Sequence, residues 1–140
     1  MAPEFEIEGS DLLSEQFGEW PSFHDSEIIS IDFNRGKEGG NPSIVVKVHA
    51  FEMTSEVNEN GYYKLINHCD IEFYFESVED VTLNGFNHQN VISDICFSKE
   101  VDSNGVSKII VEFEPCYGVE LEFKCQKVTV TSVTPTEPDK

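Results

Sequence analysis

The feature that most limits what this chain can fold into is the alternation of its apolar residues. Ile109, Val111 and Phe113 take every second position, Pro115-Cys116-Tyr117-Gly118 intervenes, and Val119, Leu121 and Phe123 resume the same period. A period of two puts successive side chains on opposite faces of a strand, whereas a helix needs apolar residues three and four apart. Two such runs joined through a turn read as a hairpin. The pattern recurs in Ile44, Val46, Val48 and Ala50. It recurs again in a long run where Tyr63, Leu65, Cys69, Ile71, Phe73 and Phe75 share one parity and Lys64, Asp70, Glu72 and Glu76 the other. Ile29, Ile31 and Phe33 alternate with Ser30 and Asp32, and shorter strands are expected at Val81-Leu83, at Ile92 with 95–97, and at Val128-Val130. Turn residues punctuate the runs: a Gly-rich loop over 34–42, the polar stretch 53–61 with Asn60-Gly61, then Asn84-Gly85 and Asp102–Gly105. Ser10–Phe17 breaks the period. Leu13 and Phe17 fall four apart, Ser10 or Asp11 can cap the segment, and Gly18 can end it, so a short helix is expected there. These signals predict a mainly β fold: an antiparallel sheet or sandwich of about eight strands with one short N-terminal helix.

The 140 residues form one domain on this reading, with an ordered core over about 5–133 and a loose tail from Thr134, where Pro135 and Pro138 fall. Eleven Phe residues supply an aromatic-rich interior. The start of the chain has neither a basic region nor an apolar stretch, and no run reaches the length of a membrane span, so the expected location is the cytoplasm. Cys69, Cys96, Cys116 and Cys125 contain no C-x-x-C pair. In a reducing compartment they read as free, mostly buried thiols, with no metal or other cofactor implied.

Charge narrows the partners. The formal net charge is −18, from 27 acidic and 9 basic residues. Phosphate binding needs clustered Lys and Arg, which sets nucleic acid and anionic membrane surfaces aside and leaves a basic protein as the natural complement. The acids interleave with Ile, Val, Phe and Tyr, so the charge belongs to folded strands rather than to a disordered tail. If the last hairpin buries Val111, Phe113, Leu121 and Phe123, then Glu112, Glu114, Glu120 and Glu122 share its other face in any register that keeps the core inside. With Glu72 and Glu76 on the long strand, these are the candidate partner-binding residues. An ordinary solvated face that discourages edge-to-edge aggregation would carry the same pattern.

Two short segments are dense in unusual polar residues. Trp20-Pro21-Ser22-Phe23-His24-Asp25-Ser26-Glu27 precedes the first strand, and Trp20 and Phe23 are suited to anchor the helix on the sheet. Asn84-Gly85-Phe86-Asn87-His88-Gln89-Asn90 places four amides and an imidazole within seven residues. Such groups satisfy backbone donors and acceptors in a tight loop, and they also suit a recognition surface. A small hydrolase or two-His metal site built on His24, Asp25 and His88 is an alternative. However, adjacent residues of an extended chain point to opposite faces, and no nucleophile elbow, phosphate loop or H-E-x-x-H is present. A generic oligomerisation module is the other alternative, which the heavy like charge opposes.

These two segments, with Tyr117-Gly118 and Phe123-Lys124-Cys125 near the end, resemble the immunity protein 50 family of bacterial polymorphic toxin systems. The resemblance spans about residues 12–133. It implies a non-enzymatic cytoplasmic antidote that binds and neutralises a cognate toxin. It supplies no catalytic residues. Trp20, His24, Asp25, Asn87, His88 and Gln89 map onto its motifs, as fold-maintaining or recognition residues.

Overall fold

The computed structural model describes residues 2–137. Among them, α1 (Ser10–Phe17) precedes eight strands: β1 (Glu27–Asn34), β2 (Ser43–Val57), β3 (Tyr63–Glu76), β4 (Glu79–Asn84), β5 (Val91–Val101), β6 (Ser107–Tyr117), β7 (Glu120–Cys125) and β8 (Lys127–Pro135). All the strand pairs are antiparallel within one sheet of order β4-β7-β6-β5-β1-β2-β3-β8. This is the mainly β architecture that the alternation predicts.

The sheet is pinched in the middle. β1 and β5 share one register pair, Glu27 with Val91, whereas β2 and β3 pair from Ser43↔Glu76 to Val57↔Tyr63. Two four-stranded halves, β8-β3-β2-β1 and β4-β7-β6-β5, therefore meet at one corner and fold over each other. Ring contacts mark the closure. Phe75 of β3 lies 4.8 Å from Phe123 of β7 and 6.1 Å from Phe113 of β6, centroid to centroid and edge to face. Val46, Val48, Ile71, Phe73, Val111 and Leu121 complete the interior with no measurable exposure. Burying a side chain of this size contributes about 1.5–3 kcal/mol, and each edge-to-face ring pair adds roughly 0.5–1.5 kcal/mol. The link from α1 to β1 closes one side. Trp20 sits edge-on to Phe23 and to Phe97 of β5, both at 5.9 Å, and Phe23 reaches on to Phe73.

Four local features depart from the sequence reading, each for a physical reason. β1 carries a register shift between Ile28 and Ser30, which turns Ile28 inward and Ile29 outward, while Phe33 stays opposite the buried Ile44 and is 48% exposed near the end of the strand. An inserted residue reverses the parity that periodicity assumes. β2 continues through the expected loop to Val57. The outer ends of β2 and β3 then project beyond the core, with Tyr63 and Leu65 exposed and Asn67 at φ 56°. The cap of α1 is Gly9 at φ 83°, without a side-chain cap bond from Ser10 or Asp11. Glu8 bridges to Thr129 and accepts the Val130 N–H at 2.8 Å, and a Cβ on residue 9 would collide with the Val130 carbonyl. Only glycine meets both demands. At the other end β8 runs to Pro135, and the Thr136 N–H donates to the His68 carbonyl at 2.9 Å. Order thus extends past 133, while 138–140 of the expected tail lie outside the described residues.

Candidate functional site

The two polar segments meet at the pinch. The Ile28 N–H donates to the Asn90 carbonyl, the Ile92 N–H to Ser26 O and the Asp25 N–H to Ile92 O, at 2.8–3.0 Å. The Asn90 N–H reaches Glu27 Oε2 at 3.2 Å. Residues 85–90 have to cross the ends of β6 and β7 to carry the chain from β4 to β5, and the amides hold that crossing. Asn90 Oδ1 accepts the Asn87 N–H, Asn90 Nδ2 donates to Asn87 O, Asn87 Nδ2 donates to Gly85 O, and Asn87 Oδ1 accepts the Gln89 N–H. Asn87 is therefore occupied within its loop. Trp20 is a packing residue, its indole Nε1 buried without an acceptor among the described residues.

His24 and Asp25 lie 3.6 Å apart through Nε2 and Oδ2, on side chains 61% and 42% exposed, with Asp25 at φ 65°. Among the described residues no hydrogen bond, ion pair or ring contact joins His88 to either of them, and no cluster of three metal-ligating side chains is present. The three residues of the hydrolase alternative do not form one constellation.

A different histidine pair does. His49 on β2, 5% exposed, faces Asp70 on β3 through the register pair. Its Nδ1 is 3.1 Å from Asp70 Oδ1 and its Nε2 is 3.1 Å from His68 Nδ1, with the two rings stacked at 5.3 Å. Burial, and then the electrostatic influence of the neighbouring His49, lower the His68 pKa and favour its neutral ring. This chain ends in a groove of about 610 Å³, lined by His68, Phe51, Tyr62 and Tyr63 together with Asp25 and Gln89. Periodicity did not single out His49 and His68, because both occupy the parity opposite the core.

The acidic candidates separate into two groups. Glu112 pairs directly with Glu122, and Phe113 with Leu121, so Glu112, Glu114, Glu120 and Glu122 stand together on the outer face of β6 and β7. Lys108 and Lys124 occupy the far end of the same face but turn to Glu79, Asp102, Asp80 and Glu100. None of the four glutamates has an ion pair among the described residues. Glu114 accepts the Cys96 thiol at 3.0 Å. Desolvation by the surrounding strands, and then the charges of Glu114, Glu122 and Glu120, raise the Glu112 carboxyl above its ordinary value. Glu72 and Glu76 lie in the other half, opposite Lys47 and Ser43 of β2, where Glu72 accepts the Thr131 hydroxyl at 2.8 Å. The structure does not bring them to the hairpin glutamates.

Residues 9–136 match the family model for immunity protein 50. The chain belongs to the immunity protein 50 family. No curated protein and no solved structure matches it. Membership supports an immunity role with a toxin as partner and suggests a non-enzymatic one. Burial pushes the Cys69 and Cys125 thiols up to about 12, and burial with the Glu114 bond does the same to Cys96, which withholds the thiolate that a nucleophile needs. Cys69 and Cys125 are buried, Cys96 is intermediate and Cys116 is exposed. Among the described residues no helix is long and apolar enough to cross a membrane.

The Glu112–Glu122 pair carries a first prediction. A folded carboxyl raised above 4.5 has its charged form penalised by folding, so the penalty exists at neutral pH and fades as pH falls toward 4.5. Glu112→Gln is expected to raise stability at pH 7 by roughly 0.2–1 kcal/mol, less at high salt, and to have no effect at pH 4. Urea titrations at the two pH values measure it. Equal effects at both would assign the gain to something other than charge.

Proposed function

We propose that this immunity protein 50 member is a cytoplasmic antidote that binds and neutralises a cognate toxin domain with a basic, nuclease-like surface, through the outer face of β6 and β7. One observation carries the reading. Four glutamates share that face, two of them directly opposite each other, with the nearest lysines committed elsewhere. Like charges placed so oppose folding, and a chain gains from keeping them where a basic partner neutralises them. A face of this kind speeds encounter and selects partners by complementary potential. Glu72 and Glu76, four or more strands away in sheet order, belong to a separate surface and are not included.

The test is titration calorimetry and stopped-flow association with the toxin domain encoded beside the protein, at low and high salt. Nanomolar binding, about −12 kcal/mol, is expected, with association slowing as salt rises. Changing Glu112, Glu114, Glu120 and Glu122 together to Gln is expected to slow association by about tenfold or more and to flatten its salt dependence. Salt-insensitive association by the unaltered protein would remove the electrostatic face from the account. Absence of binding at either salt would remove the antidote reading for that pair.

A further inference from the structure

The groove between the pinch and the projecting β2–β3 hairpin belongs to no part of that acidic face, and its chemistry is specific. Its lining is partly aromatic: Tyr62 and Tyr63, 72% and 56% exposed, with Phe51. Asp25, Glu27 and Gln89 also line it. His49 and His68 line it too, and Asp70 bonds His49 from outside the lining. An ionised Asp70 only accepts, so His49 presents Nδ1–H to it. In the tautomer in which His49 accepts at Nε2, His68 donates from Nδ1 and keeps Nε2 as an acceptor. Glu27 keeps Oε1 after Oε2 takes the Asn90 N–H. Two carboxylates and an imidazole acceptor thus converge beside exposed tyrosine rings, with Lys64 as the cation among the lining residues.

We propose that this groove receives an arginine side chain of the toxin, its guanidinium stacked on Tyr62 or Tyr63 and donating to Asp25 and His68. The proposal rests on the antidote reading and adds to it a second contact outside the glutamate face. A guanidinium is planar, carries five donors and no acceptor, and stacks on aromatic faces, which fits this lining better than a compact ammonium does. A bidentate bond to a carboxylate adds orientation to charge. Glu112 to Glu122 would then attract the toxin from a distance, while the groove fixes its position.

Two arms test this on the full chain. In the first, N-acetyl-arginine amide and its neutral isostere N-acetyl-citrulline amide are titrated into isotope-labelled protein and followed by amide NMR. Arginine is expected to give saturable shifts at Tyr62, Tyr63, Leu65 and Gln89, with a Kd on the order of millimolar, and citrulline none. Asp25→Asn, which keeps the left-handed backbone because Asn tolerates it, is expected to abolish the shifts. Equal shifts with citrulline, or none with arginine, would overturn the proposal. In the second arm Asp25→Asn and Tyr62→Ala are each expected to weaken toxin binding about tenfold, Tyr62→Ala without changing its salt dependence. Unchanged affinity in both variants would exclude the groove from the interface. If the unaltered protein fails to bind the toxin, the antidote reading falls and the toxin is lost as the source of the arginine. The first arm contains no toxin and reads the groove independently of that failure.

Discussion

Phe75→Ala is expected to lower stability by about 3–5 kcal/mol, a large share of the ~5–15 kcal/mol that holds a domain together. Phe75 is fully buried and touches rings of three strands: Phe73 beside it on β3, Phe113 on β6 and Phe123 on β7. Removing it opens a cavity at the place where the two half-sheets close on each other. The loss therefore falls on the packing between halves and not on one strand alone. Phe33→Ala is the comparison. Its ring is 48% exposed beyond the β1 bulge, and its loss is expected to cost roughly 0.5 kcal/mol or less. Urea denaturation of the two variants decides the matter, since the periodicity of β1 alone would make both phenylalanines core residues. Similar losses at both positions would contradict the exposure described for Phe33.

The second large effect is expected at Gly118. It turns the chain from β6 into β7 at φ 86°, and a Cβ there would sit 2.5 Å from the Gln89 carbonyl oxygen and 2.9 Å from Asn87 Nδ2. The left-handed conformation alone costs an alanine about 1–2 kcal/mol. The overlap with the crossing loop comes on top, so Gly118→Ala is expected to cost at least about 2 kcal/mol in all. Gly61→Ala separates the two contributions, because Gly61 has φ 83° and nothing within 4 Å of its would-be Cβ. It should show the conformational cost without the collision. Equal losses in the two variants would mean that the 85–90 loop yields freely and that Asn87 and Asn90 do not hold it.

What the sequence made legible follows from where its periodicity is undisturbed. Val111, Phe113, Leu121 and Phe123 alternate without interruption, so their burial and the common face of Glu112 and Glu122 follow directly. In β1 a single inserted residue turned Ile28 inward in place of Ile29 while Ile31 and Phe33 kept their expected parity, and nothing in Ile28-Ile29-Ser30-Ile31 announces it. The groove was harder to see. Counting outward from Asn60-Gly61 sets His49 opposite Glu72, whereas the register shifts at Ala50/Glu52 and Met53/Val57 move its partner to Asp70. One residue is enough to move a side chain to the other face. The pairing of 25–28 with 90–92 joins segments far apart in the chain, and neither segment alone names its partner. Asn87 and Asn90, with their nearest bonds inside their own loop, behave as local turn chemistry leads one to expect.

The sheet order also sets a timetable for synthesis. β3 ends at Glu76, and the neighbour that covers its outer edge, β8, begins at Lys127. Between them 127 − 76 = 51 further residues must leave the ribosome, which takes several seconds at about 5–20 residues per second. For that interval the nascent chain carries β3 with one edge bare and Ile71, Phe73 and Phe75 without the β6–β7 face that will cover them. Asp70, Glu72 and Glu76 line the other side of the same strand. Their mutual repulsion between neighbouring nascent chains keeps one bare edge from meeting another until the last strand arrives.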